Sequence, residues 1–250
     1  MNKLVIANWK MNPSSLNEAQ KLAKKIKNKG FKKTMVVLCP PALYITDLKR
    51  GFLKNKIFMG GQDFFLNQKG SWTGKISAEM LKKSGADFVM VGHSEVKALG
   101  ESDEEINNKI KEALKQKLNV ILCVGEKKRD EEGAFFLEIE KQIRLALKGI
   151  SNNYAKKIVL VYEPVWAIGA NSKSVISIEE LQSVIIFIKK TLADKFGINN
   201  FSLIPVLYGG SVNVRNTEEL LQGGVNGLLV GRNSLDTLKF NKILEIVDNF

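Results

Sequence analysis

A chain of 250 residues, 44% hydrophobic and 26% charged, is an ordinary globular mixture, long enough to bury a large apolar core and too balanced for disorder. Its formal charge of +12 comes almost wholly from lysine, because Arg50, Arg129, Arg144, Arg215 and Arg232 are the only arginines. Runs such as Lys24-Lys25 and Lys127-Lys128-Arg129 are short and scattered and lack the focused arginine and aromatic patch of a nucleic-acid surface, so no nucleic-acid partner is expected and the charge reads as solvated helix faces that draw anions toward a cleft.

Lys3 to Asn8 is the first apolar strand and ends in Asn8-Trp9-Lys10. Its apolar stretch is too short for a signal-peptide core, and no window reaches the roughly 18 apolar residues of a membrane span. A reducing cytoplasm, with no membrane partner, is the expectation. Apolar residues near the 3.6 period predict a helix over Leu16 to Lys29. Thr34 to Cys39 is the second strand, and Lys56 to Gly61, with a turn-like Gly60-Gly61 at its end, is the third. Asp87 to Gly92 is the fourth and precedes a helix over Asp103 to Lys117; Asn119 to Gly125 is the fifth and precedes a helix over Glu131 to Lys148. Ile158 to Glu163 is the sixth, followed by a helix over Ile178 to Phe196, and Leu203 to Gly209 and Gly227 to Gly231 complete the set. Cys39 and Cys123 each close a strand and read as small buried hydrophobes, with no disulfide framework and no zinc spacing. Continuous apolar strands alternating with helices imply an α/β protein with a parallel sheet. Eight units without a Pro- or Ser-rich linker favour one closed (β/α)8 barrel over residues 1–250 rather than an open doubly wound sheet.

In a barrel the active site is built at the C-terminal ends of the strands. The first strand offers Asn8 and Lys10 on one face, with Trp9 on the other. The fourth ends in Gly92-His93-Ser94-Glu95, where Ser94 is expected to cap the next helix, Glu95 to suit its dipole, and His93, the sole histidine, to face the mouth. The sixth ends in Glu163, a buried carboxylate with no cation partner, whose pKa would rise into the range of a usable base. The seventh and eighth end in Tyr208-Gly209-Gly210-Ser211 and Val230-Gly231-Arg232-Asn233-Ser234, each leading into a helix. Glycines there let backbone N–H groups approach a phosphate, and helix N-termini add positive potential.

These parts suit proton abstraction from a carbon beside a carbonyl, with His93 and Lys10 holding the enediolate oxygen and no metal or cofactor required. Such an intermediate can lose phosphate if water intrudes. The residues after the base fit that need: Pro164 stiffens the entry, Val165, Trp166, Ala167 and Ile168 form an apolar cover, and Gly169 supplies a flexible exit and a backbone donor. An alternative leaves Trp166 as ordinary core packing.

Asn8-Trp9-Lys10, Trp72-Thr73-Gly74, Val91-Gly92-His93-Ser94-Glu95, Cys123-Val124-Gly125-Glu126, Tyr162 to Gly169 and Tyr208-Gly209-Gly210-Ser211-Val212 together resemble the triosephosphate isomerase family, in its order and across essentially the whole chain. The resemblance implies a TIM barrel and an isomerase of glycolysis and gluconeogenesis that interconverts dihydroxyacetone phosphate and D-glyceraldehyde 3-phosphate. It also implies Glu163 as base, His93 as electrophile, Lys10 and Asn8 as substrate-binding residues, and Gly169, Ser211 and Gly231 as phosphate holders. Glu95 and Thr73 stand as supporting residues, and a homodimer is implied in which the loop Asn67 to Lys75 reaches the neighbouring site. Lys75 stands where the family mostly has Glu and Val96-Lys97 where it mostly has Arg-Arg, which predicts a more apolar or weaker subunit contact. Arg232 replaces a family glycine: it would be strained at positive φ, though its guanidinium could assist phosphate binding. Ala170-Asn171-Ser172 departs from the usual lid exit. Two alternatives stand beside this reading: another phosphosugar isomerase or epimerase, and a binding or surface-adhesion protein that kept the barrel.

Overall fold

The computed structural model describes residues 3–26, 31, 33–51, 57–130, 132–167 and 176–250. Strands β1 (Lys3–Asn8), β2 (Thr34–Cys39), β3 (Ile57–Gly61), β4 (Phe88–Val91), β5 (Asn119–Val124), β6 (Ile158–Tyr162), β7 (Val206–Tyr208) and β8 (Gly227–Val230) close in sequence order into a parallel barrel. Closure runs through Leu4 opposite Gly227 and Ala7 opposite Val230. This is a TIM barrel, as the strand pattern predicts. Most strands stop one residue before the predicted end, because the last residue has already turned toward the mouth, and Lys56 lies outside the described residues.

The pleat sorts the side chains into two apolar layers. Leu4, Ile6, Val37, Phe88, Met90, Ile121, Val159, Val161, Leu207 and Leu229 fill the barrel interior. Their neighbours Val5, Ala7, Val36, Val89, Val120, Leu160, Val206 and Val230 face outward against the helices. That two-sided burial is why the strands read as unbroken apolar runs.

The helices are α1 (Leu16–Lys25), α2 (Ile45–Gly51), α3 (Ala78–Lys83), α4 (Ser94–Ala98), α5 (Asp103–Lys115), α6 (Ala134–Ala146), α7 (Ile178–Phe196), α8 (Ile198–Phe201), α9 (Thr217–Gln222) and α10 (Thr237–Asn249). α5 and α7 start at capping boxes, Ser102 with Glu105 and Ser177 with Glu180, which satisfy two orphan donors each. The predicted start of α6, Glu131, lies outside the described residues; the helix is described from Ala134, where Asp130 accepts from the Ala134 and Phe135 amides and draws its first turn. Among the described residues no helix is long and apolar enough to cross a membrane.

Candidate active site

The inward row of each strand continues to the C-terminal mouth. Asn8 follows Leu4 and Ile6, Glu163 follows Val159 and Val161, Gly209 follows Leu207, and Gly231 follows Leu229. Period-2 geometry therefore delivers these four positions to one place. Glu163, Gly209 and Gly231 line a cavity of about 440 Å³ together with Lys10, His93, Ser211 and Arg232, while Asn8 lies behind it against His93 and Met90.

Lys10 has φ +53, a left-handed conformation uncommon outside glycine, and its backbone N–H donates to Asn8 Oδ1 at 3.0 Å. The side-chain ammonium contacts Glu95 Oε1. Glu95 is 57% exposed and Lys10 32%, so the pair is worth about 0–1 kcal/mol and is easily exchanged for another anion. Trp9, on the opposite face, is fully buried under the helices.

His93 is 5% exposed and is itself the N-cap of α4: its Nδ1 accepts from the Glu95 backbone N–H at 3.2 Å. This corrects the expected cap, Ser94, by one residue. Ser94 instead turns its backbone N–H to Glu163 Oε2 at 3.3 Å. Because Nδ1 is an acceptor, the single proton of a neutral ring sits on Nε2, which lies 3.3 Å from Glu163 Oε1 and 3.3 Å from Asn8 Nδ2. Neither contact takes that proton: Glu163 Oε1 is buried without a hydrogen-bond partner, and the Asn8 amide is itself a donor, reaching Met90 Sδ at 3.8 Å, which leaves the Nε2 proton available to a substrate oxygen.

Glu163 is 2% exposed, and the room for it depends on two glycines. A Cβ on Gly125 would stand 1.9 Å from the Glu163 carbonyl oxygen, and a Cβ on Gly209 would stand 2.8 Å from Glu163 Cγ. Cys123 lies alongside, its thiol pushed well up by burial and by the Glu163 charge.

Across the cavity, Asn233 Nδ2 donates to the Val212 carbonyl at 2.6 Å and joins the loops after β7 and β8. Arg232 opens a short 3-10 turn, Arg232–Ser234, and does not have positive φ, so the expected strain is absent. The second expected helix N-terminus is displaced: residues 209–216 separate β7 from α9. Ser211 Oγ donates to the Ala167 carbonyl at 2.8 Å, tying this loop to the segment after Glu163.

Of that segment, Val165–Ala167 forms a 3-10 turn, and Trp166 Nε1 donates to Glu126 Oε1 at 2.7 Å. Trp166 also packs against the outer core, so cover and anchor coexist in one side chain. Ile168, Gly169, Ala170, Asn171 and Ser172 lie outside the described residues. Thr73 sits on an exposed loop, where no hydrogen bond joins it to the cavity residues among the described residues.

The sequence assigns no role to Glu126 or Gln142, and it reads Lys97 only as part of a subunit contact. Glu126 is fully buried and also accepts from Tyr162 Oη at 2.9 Å. Gln142 clasps the Gly125 N–H and carbonyl, both at 3.0 Å, and Lys97 Nζ donates to Gln142 Oε1 and to the Cys123 carbonyl. Burial lowers the pKa of that ammonium. The signal for Glu126 was an acid shortly past an apolar strand; Gln142 and Lys97 come from helices, and no local pattern pointed to their clasp on Gly125.

A closed parallel barrel that gathers a carboxylate, an imidazole, an ammonium and a glycine-lined wall at its C-terminal mouth defines a barrel enzyme. The sequence model of the family described as triosephosphate isomerase matches residues 3–247. A protein named triosephosphate isomerase from Alkaliphilus oremlandii is 36% identical over 249 residues, covering 98% of this chain and 99% of its own. One of the same name from Aquifex aeolicus is 38% identical over 248 residues, covering 98% and 99%. A crystal structure of triosephosphate isomerase from Bartonella henselae superposes with a TM-score of 0.85 at 30% identity over 98% of this chain and 99% of that one. The chain belongs to the triosephosphate isomerase family, and it is an isomerase.

Proposed function

We propose that the chain interconverts dihydroxyacetone phosphate and D-glyceraldehyde 3-phosphate through an enediolate, in glycolysis and gluconeogenesis, with residues 1–250 acting as one barrel unit. The observation that carries the reading is the convergence of Glu163, the His93 Nε2 proton and the Lys10 ammonium on one cavity. Glu163 takes the proton from the carbon beside the carbonyl and returns it to the neighbouring carbon. His93 Nε2–H and Lys10 hold the oxygen on which charge develops, already oriented by the Glu95 amide and the left-handed turn at Lys10. Asn8 braces Lys10 from behind. Ser211, Gly231, Arg232 and, from the lid, Gly169 hold the phosphate. The Lys10 contact with Glu95 loosens as substrate oxygen replaces the carboxylate.

We further propose a homodimer built on the Thr73 loop. Ile76 and Leu99, large apolar side chains left exposed, line one hollow with Lys75 and Val96, and Trp72 and Met80 are exposed as well. A second copy seated there would cover them without needing a charged pair. Sedimentation that shows only monomer at micromolar concentration contradicts this.

Incubating the purified chain with dihydroxyacetone phosphate in D2O, followed by proton NMR, tests the reaction. Deuterium should appear at C2 of the glyceraldehyde 3-phosphate formed and, through the reverse step, once at C1 of the remaining dihydroxyacetone phosphate. A substrate that keeps its protons under native conditions defeats the reading.

A further inference from the structure

The opposite, N-terminal end of the barrel holds a second cavity of about 550 Å³. Its floor is the first inward layer of the barrel: Leu4, Phe88, and the half-buried Met35 and Phe58. Phe58 and Phe88 meet edge to face with their centroids 6.0 Å apart. Its rim is cationic, with Lys82, Lys117, Lys156 and Lys157. Lys82 Nζ reaches only the Lys117 carbonyl, at 3.4 Å, and Lys117, Lys156 and Lys157 have no ion pair among the described residues. The carboxylate in the lining, Asp87, is already engaged by Lys49 Nζ at 2.6 Å and by the Met59 N–H at 3.0 Å. Among the described residues, four lysines thus border an apolar floor whose single lining carboxylate is already paired.

Lys117 is placed there against its own backbone preference. It has φ +60 at the end of α5, where the Leu118 N–H reaches back to the Ala113 carbonyl in the manner of a helix stop that glycine would make without strain. A neighbouring hollow shares Lys117 and Lys157 and adds Lys111 and Lys115, so the positive field extends beyond the rim. The size falls within the roughly 300–1,000 Å³ of small-molecule sites.

We propose that this end of the barrel binds a small amphiphilic organic acid, with its anionic head on Lys82, Lys117 and Lys157 and its apolar body on the Phe58 and Phe88 floor. A polyanion such as nucleic acid fits less well, because the lining has no arginine and the floor offers a recessed apolar surface rather than an exposed stacking platform. The site shares no residue with the catalytic mouth, so it stands or falls separately from the isomerase reading.

Isothermal titration with sodium octanoate, below its self-association range and with inorganic phosphate present to occupy the opposite mouth, tests it. The expected result is one saturable site per chain, weakened at least tenfold in the double variant Lys117→Gln/Lys157→Gln and at least tenfold weaker for uncharged 1-octanol. Both lysines lie outside the core layers, and unchanged isomerase turnover in the variant would show that its fold is intact. Absence of saturable binding, equal binding by the variant or by octanol, or loss of binding when phosphate is added would each overturn the proposal. Anionic lipid vesicles form a further arm: co-sedimentation with vesicles without binding of free octanoate would assign the lysines to a lipid surface instead and also overturn it.

Discussion

Glu163 touches three backbones at once. Its own N–H donates to the Val124 carbonyl at 2.7 Å, its carboxylate accepts from Ser94, and its carbonyl lies against Gly125. A carboxylate held this closely is sensitive to its supports. Gly209→Ala would bring a methyl group to 2.6 Å from Val161 Cγ1 and 2.8 Å from Glu163 Cγ, so the side chain must shift. Displacement of about 1 Å costs on the order of 10²-fold in rate. Steady-state kinetics should show kcat falling by at least tenfold with KM little changed. Arg232 belongs to the other half of the site. Because its backbone is unstrained, Arg232→Ala should fold normally and raise KM by a few-fold with kcat nearly constant, and a fall in kcat alone would place the guanidinium elsewhere than on phosphate. His93→Ala, by contrast, should lose kcat while the phosphate anchor persists.

At the scale of elements, the segment after Glu163 is fastened at both described ends. Trp166 is held by Glu126 and Ala167 by Ser211, and beyond the undescribed stretch Ser177 starts α7 through a capping box. Ser177→Ala removes one cap bond and should cost about 1 kcal/mol, or roughly 2–4 °C in Tm for a chain of this size. Differential scanning calorimetry checks it, and an unchanged Tm would mean the box contributes nothing. The barrel elements were legible because both faces of every strand are buried, which leaves unbroken apolar runs, and because α7 carries its cap and its period in sequence. The residues that gather at the mouth were legible as polar residues where those runs stop. What escaped was tertiary: the cap at His93 depends on ring placement, the backbone at Arg232 on the turn after β8, and the Lys97 and Gln142 clasp on helices that meet β5 only in three dimensions. None of these leaves a local pattern.

For the whole molecule, burial sets the alkaline limit. The Cys39 thiol is pushed up to about 12 by burial, and Cys123 is raised well above the ordinary thiol value by burial and the Glu163 charge. The Tyr162 and Tyr208 hydroxyls are also raised, first by burial and then by the Glu126 charge. All four are more easily ionised when unfolded. Their contribution is therefore complete below pH 9 and is lost as pH climbs through the folded values, because the unfolded chain alone releases protons. Urea melts should show constant stability from pH 7 to about 9 from these groups and a steepening loss above 10. Iodoacetamide should leave both cysteines unmodified in the native protein at pH 8, and rapid labelling would contradict the packing described.

The central claim is that this barrel isomerises triose phosphates with Glu163 as its base. Its most direct test is the rate of glyceraldehyde 3-phosphate isomerisation by the purified protein beside Glu163→Gln, read through reduction of the dihydroxyacetone phosphate formed. Turnover is expected in the native chain, with a loss of about three powers of ten in the folded variant, within the roughly 10²- to 10⁴-fold range of a general base. Equal turnover by both proteins, or none by the folded native chain, would contradict it.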